Sequence, residues 1–97
     1  MQDGAGGALA GKTCLVTGAT AGLGLATAGE LARQGARVVL AARDQAKGEA
    51  ARAAIRQATG NDAVEVLQID LASLASVRAA AKRYLDTHDR LHVLISN

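Results

Sequence analysis

The 97-residue sequence contains no proline, no tryptophan and no phenylalanine, and it has a single tyrosine and a single cysteine. With almost no aromatic faces it offers no platform on which nucleic-acid bases would stack. One cysteine rules out an internal disulfide framework. No apolar run approaches the roughly 18 residues that a membrane span needs, and no apolar signal segment follows the glycine-rich start. Charge of one sign is also scarce: 11 Lys and Arg against nine Asp and Glu give a net +2, with the basic residues scattered rather than clustered. Nucleic acid and membrane are therefore not expected partners, and the expected location is the cytoplasm.

What the chain does have is alanine and glycine. Hydrophobic residues make up 49% and glycines number 11. A domain of this length buries only about two-thirds of its unfolded surface, so a thin core is expected. Residues 1–11, MQDGAGGALAG, lack an apolar period and read as a flexible leader. TCLVT (13–17) is a short apolar, β-branched run closed by Gly18, the pattern of a buried strand. From Gly22 to Gln34 the period becomes helical, with Leu25, Ala28, Leu31 and Ala32 on one face and Gly35 as the stop.

ARVVLAA (36–42) predicts a second strand. Asp44 then caps a helix whose stripe is Lys47, Ala50, Ala51, Ala54, Ile55 and Ala58, ending at Gly60. AVEVLQI (63–69) predicts a third strand. After Asp70, Ser73 caps a helix with Leu74, Val77, Ala81, Tyr84 and Leu85 inward and Arg78, Lys82, Arg83 and Asp86 outward. RLHVLIS (90–96) predicts a fourth strand. The order β-α-β-α-β-α-β with short connections implies an α/β fold, the first half of a doubly wound Rossmann parallel sheet with strand order 3-2-1-4. Residues 12–97 would form the N-terminal part of that domain.

Two stretches compete as a phosphate site. GGALAGKT, Gly6 to Thr13, fits the P-loop pattern G-x-x-x-x-G-K-[ST], but that chemistry needs a strand before it and a helix after it. Here the strand follows the motif, so Gly6, Gly11 and Lys12 have no helix N-terminus to work with, and Lys12 reads as a solvated charge. TGATAGLG, Thr17 to Gly24, instead joins the first strand to the first helix, where an anion meets free N–H groups and the positive end of the helix dipole. Gly18 allows the exit turn, Gly22 lets a diphosphate approach the backbone, and Gly24 lets the helix pack on the sheet, although the spacing is G-x-x-x-G-x-G rather than G-x-G-x-x-G.

The end of the second strand indicates which dinucleotide. An acid there would bind the ribose 2′-hydroxyl of NAD, whereas an Arg would accept the 2′-phosphate of NADP. The sequence places Ala42 and Arg43 at that point, with no acid before Asp44 and with Lys47 one turn on. This favours NADP over NAD. Asp70, at the end of the third strand, reads equally as an acceptor for the adenine amino group or as the cap of its own turn.

Taken together, TGATAGLG, the Ile69-Asp70-Leu71 segment and the terminal LISN resemble the TGxxxGxG, Asp-Leu and NNAG motifs of the short-chain dehydrogenase/reductase family, with Ser96 in place of the first Asn. VVLAARDQAKG (38–48) is similar to the NADP-dependent carbonyl reductase and retinol dehydrogenase-like branches. The resemblance implies that Thr20 and Leu23 join the phosphate loop, that Arg43 and Lys47 hold the 2′-phosphate, that Asp70 and Leu71 bracket the adenine, and that Asn97 lies near the adenosine ribose. It implies an oxidoreductase acting on a carbonyl or alcohol.

The family's catalytic Ser and Tyr-x-x-x-Lys would lie downstream of this chain, which is then expected to be inactive alone. Tyr84, with His88 four residues on, reads as core, His88 and His92 as bystanders, and Cys14 as a small buried hydrophobe. The alternative is a non-catalytic nucleotide-binding or interaction module made of half a sheet; a methyltransferase-like nucleoside binder fits less well, since it too favours an acid closing the second strand. An open edge on the fourth strand points to self-association.

Overall fold

A computed structural model describes residues 7–87 and 93–95. The elements alternate: β1 (Thr13–Thr17), α1 (Gly22–Arg33), β2 (Arg37–Ala42), α2 (Gln45–Thr59), β3 (Val64–Gln68), α3 (Leu74–Thr87) and β4 (Val93–Ile95). The strands form one parallel sheet in the order β3-β2-β1-β4. β2 is paired on both sides, with Thr17 opposite Ala41 and Ala42 opposite Gln68, so the carboxyl ends of β1, β2 and β3 finish level. Strands covered on both faces carry apolar residues at nearly every position, and β2 is buried from Val38 through Ala42.

α1 and α2 pack side by side on one face of the sheet. The reversal of direction after β3 sends α3 across the other face by the right-handed crossover rule. The core between the sheet and the first two helices is aliphatic and has no aromatic ring: Cys14, Val16, Ala28, Ala32, Leu40 and Ile55 are at most 4% exposed. α1 turns Gly24, Ala28 and Ala32 toward the sheet. None of these side chains is longer than a methyl, which brings the helix backbone close to the strands.

Three expectations need correction. The buried side of α2 is Gly48, Ala51, Ile55 and Thr59, so Lys47, Ala50, Ala54 and Ala58 are exposed instead of inward. On α3 the buried residues are Ala80 and Tyr84, while Leu74 and Leu85 are 64% and 70% exposed and Ala81 is also outside. In both helices alanine is so frequent that the apolar stripe has no sharp phase, and packing against β3 selects a different one. Residues 7–11, assigned to the leader, form turns against the end of α1: Leu9 N–H donates to Gln34 O at 2.8 Å, Lys12 N–H donates to Leu9 O at 2.9 Å, and Leu9 packs on the core.

One buried polar residue ties the layers together. Asn61 is 5% exposed. Its side-chain amide donates to Ala32 O at 2.9 Å and Ala36 O at 2.8 Å, and its side-chain oxygen accepts from Ala63 N–H at 2.8 Å. It joins the end of α1, the start of β2 and the approach to β3, so its polar atoms are satisfied, as burial requires.

Candidate functional site

A cleft of about 270 Å³ opens at the carboxyl edge of the sheet. Its lining comes from the ends of three strands: Thr17 to Thr20 after β1, Ala41 to Arg43 at the end of β2, and Ile69 to Ala72 after β3. This is the edge where ligands lie in open α/β sheets. Gly18, Thr20, Arg43, Asp70 and Leu71 are thus brought together as the sequence suggests. Thr17, Ala19 and Ile69, which the motifs contain without a role of their own, join them, as do Ala41 and Ala72, whose only signal was their place at strand ends.

The turn Thr17 to Thr20 lines the cleft and leads into α1, whose first residues Gly22, Leu23 and Gly24 follow it without lining the cleft themselves. Gly18 and Gly22 adopt φ of +61° and +57°, a region open to glycine and strained for other residues. A β-carbon on Gly22 would point into open space, so the backbone there is accessible. The N-cap residue is Ala21, no side chain caps the helix, and its first turn holds no acid. Among the described residues its leading N–H groups thus have no side-chain cap and no first-turn acid to offset the helix dipole. Gly24 is buried against the sheet, and Leu23 is 76% exposed on the rim.

α2 begins differently. Asp44 Oδ1 accepts from Ala46 N–H at 2.9 Å and from Lys47 N–H at 3.2 Å. This cap occupies the one acid near the end of β2. Arg33, Arg37, Arg52 and Arg56 are each paired with a carboxylate at 2.9 to 3.3 Å. Arg43 makes no such pair among the described residues; its backbone carbonyl is held by Gln68 Nε2 at 3.3 Å, and the residue is exposed and lines the cleft. Lys47 is exposed in the first turn of α2, one turn from Arg43, and does not line the cleft itself.

The turn after β3 is fixed by its own bonds. Asp70 N–H donates to Ser76 Oγ at 2.8 Å, Asp70 Oδ1 accepts from Ala72 N–H at 3.0 Å, and Ser73 N–H donates to Asp70 O at 3.0 Å. One oxygen of Asp70 thus serves the turn, and the other carries no bond among the described residues. Leu71 is 62% exposed beside it. Asn97, Ser96, His88 and His92 lie outside the described residues. Tyr84 is buried on α3, and Cys14 is fully buried in β1 with its thiol pushed above the ordinary value by burial. Neither belongs to the cleft. Among the described residues, no three His, Cys, Asp or Glu side chains gather where a metal would bind, and no helix is long and apolar enough to cross a membrane.

Comparison with known proteins assigns this arrangement. The sequence profile described as short chain dehydrogenase matches residues 12–97. The chain belongs to the short-chain dehydrogenase family. Human dehydrogenase/reductase SDR family member 13 is 56% identical over 91 residues, covering 94% of this chain and 24% of that protein. Mouse retinol dehydrogenase 12 is 49% identical over 87 residues, covering 90% of this chain and 28% of that protein. The chain therefore spans about a quarter of the length of these curated relatives.

Solved short-chain dehydrogenases share the fold. A metagenomic short-chain oxidoreductase in complex with NADP superposes with a TM-score of 0.80 at 41% identity over 89% of this chain and 38% of that one. L-sorbose reductase from Gluconobacter frateurii, complexed with NADPH and L-sorbose, gives 0.82 at 28% identity over 95% and 34%. A 3-ketoacyl-(acyl-carrier-protein) reductase from Brucella melitensis, complexed with NADH, gives 0.76 at 33% identity over 90% and 34%. These neighbours support a nicotinamide dinucleotide as the cofactor, in either its phosphorylated or its unphosphorylated form.

Proposed function

We propose that this chain forms the NADP(H)-binding part of an oxidoreductase that moves hydride between the nicotinamide and a carbonyl or alcohol. The observation that carries the reading is a cleft in which the turn Thr17 to Thr20, leading into an α1 start with no side-chain cap from Ala21, meets Arg43, which has no carboxylate partner among the described residues. When bound, the cofactor supplies or accepts the hydride; the residues of this chain bind and orient it. The N–H groups from Gly22 onward receive the diphosphate, assisted by the helix dipole. Gly18 and Thr20 shape the turn beneath it.

Arg43, with Lys47 behind it, receives the 2′-phosphate of the adenosine ribose. A charge-assisted bond of this kind is worth about 1.5–3 kcal/mol, or roughly ten- to a hundredfold in affinity. NAD would need a carboxylate at the same place, and the nearest one, Asp44, is engaged by its own helix. The unbonded oxygen of Asp70 accepts from the adenine amino group while Leu71 covers the ring. Asn97 is assigned to the adenosine ribose on its motif alone.

No described residue of the cleft is suited to carbonyl protonation, so the chain by itself binds cofactor without turning over substrate. β4 stands at one end of the sheet, and we expect its outer edge to support self-association of the isolated chain. A crystal structure with NADPH tests the central reading. The diphosphate should lie between Thr17 and Gly24, and an empty corner there, or a cofactor gripped at Lys12, overturns it.

A further inference from the structure

The first turn of α2 lies closer to the sheet than a side chain allows. Gly48 is buried, and a β-carbon at that position would stand 2.7 Å from Val66 Cγ1, 3.5 Å from Val66 Cγ2 and 3.2 Å from Ala42 Cβ. Carbon atoms in contact rest at about 3.5–4.0 Å, so the shortest of these distances forces something to move. Relief by rotating Val66 is limited, because a β-branched side chain is stiff at χ1. Helix propensity does not account for the residue, since glycine is the poorer helix former of the two. The close approach itself is the feature to explain.

Its neighbours indicate what it serves. Ala42, one of the atoms such a side chain would press on, ends β2 and lines the cleft directly before Arg43. Lys47 directly precedes Gly48, and the Asp44 cap holds the N–H groups of the same turn. Gly48 N–H also donates to Asp44 O at 3.0 Å. The height of this turn over β2 and β3 therefore sets where the cations on both sides of the cap stand relative to the cleft.

We propose that Gly48 is a positioning residue for cofactor selection: by seating the first turn of α2 on Ala42 and Val66, it places Arg43 and Lys47 to receive the 2′-phosphate together. This rests on the reading above that those two side chains bind that phosphate. The inference concerns selectivity, which a merely structural glycine would not move. A larger residue at 48 lifts the turn by several tenths of an ångström, and a bidentate or paired contact to phosphate tolerates little displacement.

The test is titration of the full-length protein with NADPH and with NADH. In the Gly48→Ala variant, NADPH affinity should fall about tenfold while NADH affinity stays within about twofold. Adding Val66→Ala to that variant makes room for the new methyl and should restore most of the preference, with Val66→Ala alone as the control. If Gly48→Ala does not fold, Val66→Ile presses on the same contact from the sheet and carries the same expectation. A wild-type protein that binds both coenzymes equally overturns the 2′-phosphate reading itself. A wild type that prefers NADPH, with Gly48→Ala keeping the same ratio or losing both coenzymes equally, overturns the role of Gly48.

Discussion

Arg43 and Asp44 are neighbours in sequence with opposite charges, yet they form no ion pair. Asp44 turns to the N–H groups of Ala46 and Lys47 at the start of α2, and Arg43 is left lining the cleft. A helix cap thus removes the carboxylate that would otherwise neutralise the guanidinium. The division of labour between the two residues can be tested one side chain at a time.

Replacing Arg43 with Asp removes the cation and adds a repelling charge. NADPH affinity should fall by roughly ten- to a hundredfold while NADH affinity changes far less. Fluorescence titration of the reduced coenzymes reads both. Equal loss of the two would remove the phosphate-binding role of Arg43.

Asp44→Ala should cost stability and leave selectivity alone. Loss of an Asp cap is worth about 1 kcal/mol in chemical denaturation, and the ratio of NADPH to NADH affinity should stay as in the wild type. A selective collapse of NADH binding would instead make Asp44 a ribose ligand.

Asn61→Ala removes the side-chain partner of the Ala36 carbonyl and the Ala63 N–H and one of two partners of the Ala32 carbonyl, which keeps the Gly35 N–H. Each buried group left unsatisfied costs on the order of 1–3 kcal/mol, so a loss of about 3 kcal/mol is expected in denaturant melts. Asn61→Asp keeps the acceptor but loses both donated bonds, and it should fare no better. A change within experimental scatter would show that water replaces the amide.

Cys14 gives a pH signature. Burial raises its folded-state pKa above the ordinary 9.0, so the folded protein holds the proton after the unfolded chain has released it. Its contribution is constant at lower pH and is lost as pH rises through about 9, by at most about 1.4 kcal/mol per pH unit. Melting curves of the wild type and Cys14→Ala across this range should diverge, with the wild type declining more steeply. Parallel curves would contradict a buried, protonated thiol.

Self-association through the β4 edge predicts that the isolated chain sediments as concentration-dependent oligomers. A clean monomer at high concentration would count against it.

Much of the architecture was legible in the sequence because its punctuation is local. Gly18, Gly35, Gly60 and Asp44 mark turns and a cap by their own backbone chemistry, and the run TCLVT needs no partner to read as a buried strand. The phase of α2 and α3 was not legible: in a helix where alanine recurs on every side, only contact with β3 decides that Gly48 and Thr59 are inside and Leu74 and Leu85 outside. Asn61 was overlooked for a related reason. In the sequence it is an ordinary turn residue, and its partners at 32 and 36 come near only in the folded sheet. The cleft divides in the same way, its glycine corner and the Ala42-Arg43 strand end visible in the sequence and its alanine walls at 41 and 72 visible only once three strand ends stand level.

The small residues at 24, 28 and 32 have a mechanical consequence. With only hydrogen or methyl at these three buried positions, and Leu25 and Leu31 packed on the core beside them, the helix sits close on the strands and has little room to rock, so its leading end serves as an anvil rather than a jaw. Adaptation to different ligands then falls to the turns around it, at 18–21, 43–44 and 69–72, and efforts to reshape the cleft would begin there and leave the helix untouched.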